Sequence, residues 1–362
     1  MNITILKNRH RPLYKIDDKI ITYHFGYLYS SLDGVKFNKN VRIPESILSR
    51  FLSRLRFFER LLRSEPRCAA YDEINQKLYV SHNGRLDAVD LENRELFLSI
   101  KYRPGMHSPL AITKISGING FSDCLVYGEY FGNNERDSVS IFLKELGSDT
   151  WKTAYTFPPG TIRHIHNIIP DPIRSIVYIL TGDLNNESGF WCSRNNFKTV
   201  EKIIIGSQDY RSCLGVPNDK GVLFVTDSPM TKNSISQLNL ETPENSVILS
   251  QLSSPAIYGC VVNNYLIFSS SIEPCETVKF PWKLFTRKLG TGITDAGIYI
   301  YRLNISTLEC DIIARFTKDI LPMGLFQYGT SILIPDCKED AIYIYPIGTK
   351  KYDGKLCYVD FE

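Results

Sequence analysis

The sequence lacks several features that would point to a particular class of protein. No stretch reaches the roughly 18 uninterrupted apolar residues that a transmembrane helix needs. The nine cysteines include no Cys-x-x-Cys pair, whereas zinc-binding modules need clustered ligands. Neither a P-loop nor a Gly-x-Gly-x-x-Gly motif is present, which removes the common nucleotide-binding modules. We therefore expect buried, reduced thiols and predict no metal and no cofactor.

An excess of charge of one sign is also lacking. The 362 residues include 42 Lys+Arg and 39 Asp+Glu, which gives a net charge of +3. This balance argues against nucleic-acid binding by bulk electrostatics, so we predict no nucleic-acid partner. Residues 1–15 alternate charged and apolar side chains without the apolar core of a signal peptide, so the expected location is cytoplasmic.

What the sequence has in abundance is aromatic residues and a repeat. The 21 Tyr and 19 Phe favour strands, and so an all-β chain. A unit of roughly 40–50 residues recurs, most clearly at 163–206, where four short apolar stretches are separated by Gly, Asn, Asp and Pro turns. One four-stranded antiparallel sheet cannot bury both of its faces, so the copies are expected to pack around an axis.

The repeat predicts a single β-propeller domain over residues 1–362. Seven blades are expected, or six if the weak N-terminal copy only completes the last blade. In that last blade the predicted strands are Leu325–Gly329, Ser331–Pro335, Ala341–Tyr345 and Leu356–Val359.

Three turns of the repeat are similar to one another and carry a resemblance to a known family. They are Ser31–Phe37, Gly147–Trp151 and Ser193–Thr199, each between a predicted third and fourth strand. They resemble eroded Asp-boxes, the Ser-x-Asp-x-Gly-x-x-Trp hairpin of sialidase-like (BNR-repeat) propellers. In such a hairpin an Asx residue and Gly cap a tight turn, while the aromatic residue anchors it.

A wider resemblance covers residues 105–275. With Gly-Glu-Tyr-Phe at 128–131, Arg-His-Ile-His at 163–166 and Thr-Gly-Asp at 181–183, the chain resembles bacterial BNR-type proteins of polysaccharide and glycan biosynthesis clusters. The resemblance implies a propeller fold and a carbohydrate context, and the Asp-box itself is structural in that family.

Polar residues interrupt the apolar strands at corresponding places in six repeats, which predicts a shared polar pocket at one mouth of the propeller channel. The predicted catalytic residues are Glu129, Tyr130, His164, His166 and Asp183. The predicted substrate-binding residues are His107, Arg163, Glu187, Arg211, Asp227 and Glu273.

The spacing of these residues leaves several kinds of chemistry open. Because His164 and His166 are two residues apart, they face the same side of a strand. They are suited to metal binding, to acid–base chemistry, to contact with a polar ligand or to a structural role. Glycoside cleavage needs two carboxylates, or a Tyr nucleophile with a carboxylate partner, which Tyr127 or Tyr130 beside Glu129 resembles.

The predicted arginines also bear on the kind of ligand. Arg163 and Arg211 are suited to grip a carboxylate or phosphate with paired N–H groups. A sialidase-like site needs three such arginines, and only two are found.

Two basic, aromatic segments interrupt the repeat. Residues 45–64 have the period of an amphipathic helix, and residues 276–295 form a loop that contains Trp282 and Phe285. Both have the composition of segments that bind a membrane surface. The predicted contacts are Arg54, Phe58, Trp282 and Phe285. The alternatives are a helix packed on the propeller with solvated arginines, and a groove for a partner protein.

These observations lead to two functional hypotheses. The first is a carbohydrate-active propeller, glycosidase-like or glycan-modifying, that acts on a bacterial surface glycan or a lipid-linked oligosaccharide. The alternative is a non-catalytic glycan-binding or scaffold propeller, recruited to an anionic membrane at the inner face. Because propellers host all of these functions, the fold alone does not decide whether the protein is an enzyme.

Overall fold

The chain is built from four-stranded antiparallel sheets, which are the blades of a β-propeller. A computed structural model describes residues 3–361, and it contains seven such sheets and only a few short helices. The predicted all-β propeller is therefore confirmed, with seven blades. None of the helices in residues 3–361 is long and apolar enough to span a bilayer.

Four sets of strands cover the first half of the chain. The strands in chain order are β1 (Ile3–Asn8); β2 (Arg11–Ile16), β3 (Lys19–His24), β4 (Tyr27–Ser31) and β5 (Asn38–Arg42); β6 (Cys68–Asp72), β7 (Lys77–His82), β8 (Arg85–Asp90) and β9 (Glu95–Lys101); β10 (Thr113–Ile115), β11 (Cys124–Gly128), β12 (Val139–Glu145) and β13 (Lys152–Phe157).

The second half continues in the same rhythm. Its strands are β14 (His164–Asp171), β15 (Ile176–Gly182), β16 (Gly189–Ser193) and β17 (Glu201–Ile205); β18 (Ser212–Asn218), β19 (Gly221–Thr226), β20 (Asn233–Leu238) and β21 (Val247–Leu252); β22 (Ala256–Val262), β23 (Tyr265–Ser270), β24 (Gly297–Asn304) and β25 (Cys310–Thr317); and β26 (Thr330–Asp336), β27 (Ala341–Ile347) and β28 (Lys355–Asp360).

The strand order explains why seven blades form rather than six. Strands β2–β5 make a blade of their own, while β1 pairs antiparallel with β28 as the outer strand of the sheet β1-β28-β27-β26. The N-terminal segment thus both completes the last blade and forms the first. The prediction of a strand at Leu325–Gly329 is wrong, because a short helix ends at Phe326, the next strand begins at Thr330, and the missing strand is β1.

The chain divides into two compact units, and the prediction of a single domain stays a prediction. Unit 1 comprises Met1–Glu65, Asp227–Ile235 and Leu249–Glu362, and unit 2 comprises Pro66–Thr226 and Ser236–Ile248. Each unit has cores of buried strand residues. In unit 1 the largest core includes Ile267, Ile300 and Ile344, and in unit 2 it includes Val126, Ile141 and Ile179.

The turns that resemble Asp-boxes lie where they were predicted, between the third and fourth strands of their blades. In the first, Asp33 Oδ1 accepts hydrogen bonds from Ser31 Oγ and from the backbone N–H groups of Val35 and Lys36. In the last, Phe197 is fully buried and its N–H donates to Ser193 Oγ. These turns are structural, and they close hairpins by side-chain caps.

Four short helices lie in unit 1. They are α1 (Ile47–Leu52), α2 (Arg56–Leu62), α3 (Trp282–Phe285) and α4 (Met323–Phe326). The single amphipathic helix predicted over 45–64 is instead two helices, α1 and α2, separated by a turn at 53–55. Loop 276–295 lies between β23 and β24, as predicted, and contains α3.

The predicted alternative was a helix that packs its apolar side on the propeller and exposes its arginines to solvent. The orientation of α1 and α2 is the opposite. Their apolar residues Ile47, Leu48, Phe51 and Leu55 are exposed, whereas Glu59 and Arg60 of α2 are buried. The expectation that the arginines of this segment are solvated is wrong for Arg60. Its Nε donates to the carbonyl of Phe326 at 2.8 Å, and its guanidinium pairs with Asp319.

A buried set of ion pairs attaches α2 to the blades of unit 1. We call it the helix ion cluster, and it consists of Arg9, Arg11, Arg56, Glu59, Arg60, Glu65, Asp319, Tyr345 and Asp353. Arg56 lies at its centre, 2.8 Å from Glu59, 3.2 Å from Glu65 and 3.0 Å from Asp353. Tyr345 donates to the second oxygen of Glu65 at 2.8 Å. Each of these acids faces a donor, as burial of charge requires.

Candidate functional site

The candidate site begins with an irregularity in the first strand of its blade. Strands β14 and β15 pair with His164 opposite Gly182, and a bulge follows, so that His166 is passed over between Ile165 and Asn167. A bulge redirects the side chain at the extra residue. The ring of His166 lies over Gly182, where an added Cβ would come within 2.4 Å of its Cε1. Glycine in the Thr-Gly-Asp motif therefore makes room for the imidazole.

The two imidazoles and the following aspartate converge on one point. His164 Nε2 lies 3.2 Å from His166 Nε2, and these atoms lie 3.3 Å and 3.2 Å from Asp183 Oδ1. Both rings are buried, whereas the Asp183 side chain is 20% exposed. The same-side placement predicted from the two-residue spacing is confirmed, and the site is accessible from the side of Asp183.

Two arginines complete the group. Arg163 Nη1 lies 3.1 Å from Asp183 Oδ2, and Arg211 Nη2 lies 3.1 Å from Asp183 Oδ1. We call His164, His166, Asp183, Arg163 and Arg211 the His–Asp cluster. It carries two permanent positive charges and one carboxylate, so its net charge is positive when both imidazoles are neutral.

Electrostatics keep Asp183 ionised. Burial acts to raise the pKa of this carboxyl group, but the interactions with His164 and with the Arg211 guanidinium outweigh burial. The pKa is held well below its ordinary value. Asp183 is therefore an acceptor and a potential ligand, and it is not a general acid.

Several residues that the sequence did not single out hold the cluster in place. Gln208 Nε2 donates to the backbone carbonyl of Asp183 at 2.8 Å, and Asn134 Oδ1 accepts from Arg163 at 3.3 Å. The carbonyl groups of Phe131 and Ser212 accept from the outer nitrogens of the two imidazoles. Backbone carbonyls have no signature in a sequence, and the amide side chains lie in loops where polar residues are ordinary.

The predicted catalytic residues Tyr130 and Glu129 take different positions. The Tyr130 ring packs against His164 with centroids 4.2 Å apart, so this residue borders the cluster. The Glu129 carboxylate accepts from the Ser140 N–H at 2.8 Å and from Arg103 at 3.4 Å. Burial raises the pKa of Glu129. Its partners are outside the His–Asp cluster. The roles of Tyr130 and Glu129 as nucleophile and carboxylate partner stay a prediction.

Two further predicted ligand contacts in unit 2 have other surroundings. Glu187 forms a two-pronged ion pair with Arg136, at 2.6 Å and 2.9 Å, and accepts from the N–H of Leu184. It therefore shapes the loop that carries Asp183. The side chain of His107 is exposed, and its backbone carbonyl accepts from Gly84. Roles for both in binding stay predictions.

The remaining two predicted ligand contacts, Asp227 and Glu273, belong to unit 1. Asp227 follows β19 and is buried. Glu273 follows β23, is buried, and accepts from the hydroxyl of Ser271 at 2.8 Å. The predicted role of these two carboxylates in binding stays a prediction.

The His–Asp cluster has a defined chemical capacity. Its imidazoles are oriented by backbone carbonyls, and its single carboxylate is ionised. Its two guanidinium groups have donors arranged for a planar anion. Such a group can bind an anionic ligand and exchange a proton with it. The classical pair of carboxylates of a glycosidase is not part of the cluster.

Comparison with solved structures places the fold among known propellers. An oligogalacturonate lyase from Vibrio parahaemolyticus has a TM-score of 0.55 and 11% identity, over 99% of this chain and 91% of that one. An ancestral GH74 enzyme has a TM-score of 0.56 and 12% identity, over 100% of this chain and 46% of that one.

A third propeller with the same degree of similarity is not described as an enzyme. The Cps50 (Swd1) β-propeller domain from Myceliophteria thermophila has a TM-score of 0.56 and 7% identity, and each chain is covered completely. At such low identity the likeness shows the fold alone. No family model matches the chain, and no curated protein matches it in sequence.

Proposed function

We propose that this protein acts on a carbohydrate that carries a carboxylate group, and that the His–Asp cluster is its site. The observation that carries the proposal is the arrangement around Asp183. Two arginines and two oriented imidazoles surround one partly exposed carboxylate. A net positive site of this kind favours an anion, and paired N–H groups suit the carboxylate of a uronic acid.

The solved structures of similar fold also support a carbohydrate ligand. Two of the three solved propellers described above are enzymes, an oligogalacturonate lyase and a GH74 enzyme. Galacturonate is itself an acidic sugar. The resemblance to BNR-type proteins of glycan clusters points to the same class of ligand, with a bacterial surface glycan or its lipid-linked precursor as the proposed substrate.

The cluster suits one reaction of a uronate better than hydrolysis. A basic group at the site would remove the proton at C5, next to the carboxylate, while the arginines neutralise the carboxylate. The C5–H electron pair forms the C4–C5 double bond, the C4–O bond breaks, and the departing oxygen takes up a proton. This elimination needs a base and a cationic partner but no second carboxylate.

The first experiment is a binding and turnover screen with the purified protein. Uronate-containing, sialylated and neutral oligosaccharides are compared by calorimetry, and elimination is followed by the ultraviolet absorbance of the unsaturated product. The variants are His164→Gln and Arg163→Met, and Arg194→Met is the control, because Arg194 is an exposed arginine of the same blade.

The outcomes separate the hypotheses. Binding of acidic but not neutral sugars, weakened in the two cluster variants and intact in the control, supports the proposal. Such binding without turnover favours the non-catalytic glycan-binding alternative. Binding of neutral sugars that is equal in all variants contradicts the assignment of the site.

We also propose that one face of unit 1 docks on an anionic lipid membrane. The exposed apolar side chains of two helical segments carry this proposal. They are Ile47, Leu48, Phe51, Leu55, Phe57, Phe280, Trp282 and Phe285, with Trp282 72% exposed. The predicted contact Phe58 is half-buried, and Arg54 is exposed.

These segments form one continuous surface within unit 1. Phe57 of α2 packs on Phe326 of α4 with ring centroids 4.5 Å apart. Gly324 of α4 lies so close to α3 that a Cβ there would meet the Leu284 backbone at 2.7 Å. The helix pair α1–α2 therefore connects through α4 to α3. We call the exposed face of these helices the helix surface.

The charge of the helix surface indicates what covers it. Apart from Arg56, which is paired in the helix ion cluster, residues 46–58 and 279–289 contain six Lys and Arg and no acidic residue. A basic rim around exposed Trp and Phe is complementary to anionic headgroups over an apolar layer, and each basic residue contributes about 1 kcal/mol near such a surface.

Vesicle sedimentation tests the membrane proposal. Wild type is expected to sediment with vesicles of mixed neutral and anionic phospholipid, less at high salt, and not with neutral vesicles. Trp282→Ala/Phe285→Ala should release it, whereas Ile173→Ala, an exposed apolar residue of unit 2, should not. Absence of binding to anionic vesicles, or self-association through the same residues, would overturn this proposal.

A further inference from the structure

The outer nitrogens of the two imidazoles fix where their protons are. His164 Nδ1 lies 3.0 Å from the carbonyl oxygen of Phe131, and His166 Nδ1 lies 3.0 Å from the carbonyl oxygen of Ser212. A carbonyl oxygen only accepts, so each Nδ1 carries a hydrogen. In the neutral ring the Nε2 atom then has a free lone pair. This is the outer contact that metal-ligating histidines make in proteins.

The inner atoms of the cluster are all electron-pair donors. The two Nε2 atoms and Asp183 Oδ1 lie 3.2–3.3 Å from one another. Arg211 Nη2 lies 3.1 Å from Asp183 Oδ1, but the lone pairs of the two Nε2 atoms and this oxygen still repel one another unless a cation lies between them. The buried arrangement therefore calls for either an extra proton or a metal ion at its centre.

The three separations match a metal coordination sphere. Ligand atoms about 2.0–2.2 Å from a tetrahedral zinc ion lie about 3.3 Å apart, because this is the edge of such a tetrahedron. We infer that His164, His166 and Asp183 bind a divalent transition-metal ion such as Zn²⁺. This departs from the prediction of no metal made from the sequence, in which Asp183 follows His166 by 17 positions across strand and turn.

The donor set and the open side of the cluster narrow the ion and its use. Two imidazole nitrogens and one carboxylate oxygen suit zinc, manganese or iron, whereas calcium and magnesium prefer all-oxygen sites. Three protein ligands leave the fourth position for water or a ligand oxygen, as in catalytic zinc sites. Asp183 keeps its second oxygen on Arg163, so the metal and this arginine can share the carboxylate.

The inference deepens the proposed function and rests on it for the identity of the fourth ligand. A metal ion beside Arg163 and Arg211 makes the site strongly positive. The fourth ligand is then an anionic oxygen, and the carboxylate of a uronate fits both the metal and the arginines. Bound in this way, the sugar's carboxylate would be polarised, and the acidity of its C5 proton would increase.

Metal binding is measured directly, without any carbohydrate. The metal-stripped full-length protein is titrated with Zn²⁺ by calorimetry, and bound metal is counted by mass spectrometry, with Ca²⁺ and Mg²⁺ as comparison ions. The variants are Asp183→Asn and the double variant His164→Gln/His166→Gln. Asp219→Asn is the matched control for Asp183→Asn, since Asp219 is an exposed aspartate of the same unit. Thermal midpoints verify that each variant is folded.

We expect one equivalent of Zn²⁺ in wild type and in Asp219→Asn. The double variant should lose affinity by about 100-fold or more, since even outer contacts of a metal site are worth about 10–100-fold. Asp183→Asn, which keeps the shape of the side chain, should also bind much more weakly. No binding by wild type, or equal binding in wild type and the folded variants, would overturn the inference and leave a shared proton at the centre.

The two proposals fail separately. Metal binding without any carbohydrate binding would leave the metal site standing and contradict the proposed function. A protein that binds acidic sugar but takes up no Zn²⁺ in the titration would support the proposed function and overturn the metal site.

Discussion

Two buried charged groups in this protein are built from similar residue types and have different electrostatics. In the helix ion cluster of unit 1, carboxylates and guanidinium groups alternate, and Glu65 is satisfied by Arg56 and by Tyr345. In the His–Asp cluster of unit 2, two imidazole lone pairs and one carboxylate point at the same place. Buried charges that are paired with opposite charges indicate a structural role. Electron-pair donors that converge on one point indicate a binding site for a ligand.

The largest expected effect comes from the centre of the helix ion cluster. Arg56→Met removes the partner of Glu59, Glu65 and Asp353 and leaves buried carboxylates without it. The free energy of unfolding should fall by about 3–5 kcal/mol. Arg54→Met, at an exposed position two residues away, should change it by less than about 0.5 kcal/mol. Urea unfolding measures both, and equal small effects would show that the cluster does not hold the helices.

The pH dependence of stability tests the same cluster at Glu59. Burial and the neighbouring Glu65 raise the pKa of Glu59 from 4.5 to about 7, even though Arg9 and Arg56 lie within 3.0 Å. Between these values the folded state keeps a proton that the unfolded chain has lost. The free energy of unfolding should therefore fall by about 3 kcal/mol as the pH rises from 4.5 to 7.

Glu59→Gln should remove that decline, because glutamine does not titrate. Unfolding curves for both proteins across this pH range provide the comparison. If the variant shows the same slope as wild type, another group is responsible. If wild type becomes more stable over this range, the arginines dominate and the pKa of Glu59 is lowered.

A smaller effect is expected at the glycine that accommodates His166. The added Cβ of Gly182→Ala would displace the imidazole, and overpacking of this kind costs about 1–3 kcal/mol. Unlike Arg56→Met, the change should also abolish binding at the His–Asp cluster. Gly132→Ala is the control, because nothing lies within 4 Å of a Cβ there. Gly182→Ala protein that binds Zn²⁺ and acidic sugar like wild type would contradict this assignment.

The smallest effect is expected on the exposed side of the helices. Phe51 is 64% exposed, so Phe51→Ser should change the free energy of unfolding by less than about 0.5 kcal/mol. The same variant should reduce sedimentation with anionic vesicles. A loss of stability as large as that of Arg56→Met would mean that the apolar side of the helices packs against the protein after all.

The sequence predicted the fold because strand patterns are local. The repeat of four apolar stretches identified the propeller and most strand positions, including β14–β17. The blade number depended on the pairing of β1 with β28, which joins residues more than 340 positions apart. The helix orientation was mispredicted for a similar reason. Arg60 is buried against Asp319 and Phe326, and both of these partners are distant from it in the sequence.

The candidate site was predicted in part. Arg163, His164, His166, Asp183 and Arg211 stood out because charged residues interrupted apolar strands, and the structure brings them together. Glu129 stood out for the same reason, but its carboxylate is satisfied by Arg103 and Ser140. The bulge at His166 and the carbonyls that orient the imidazoles are backbone features that residue types do not encode.

The measurement that tests the central claim most directly is a calorimetric titration of wild type and Arg211→Met with an oligogalacturonate. We expect binding by wild type that is absent or much weaker in the variant, with both proteins folded. It also predicts no binding of a neutral oligosaccharide of the same length. Equal binding of the oligogalacturonate by both proteins would contradict the claim that the His–Asp cluster is the site for an acidic carbohydrate.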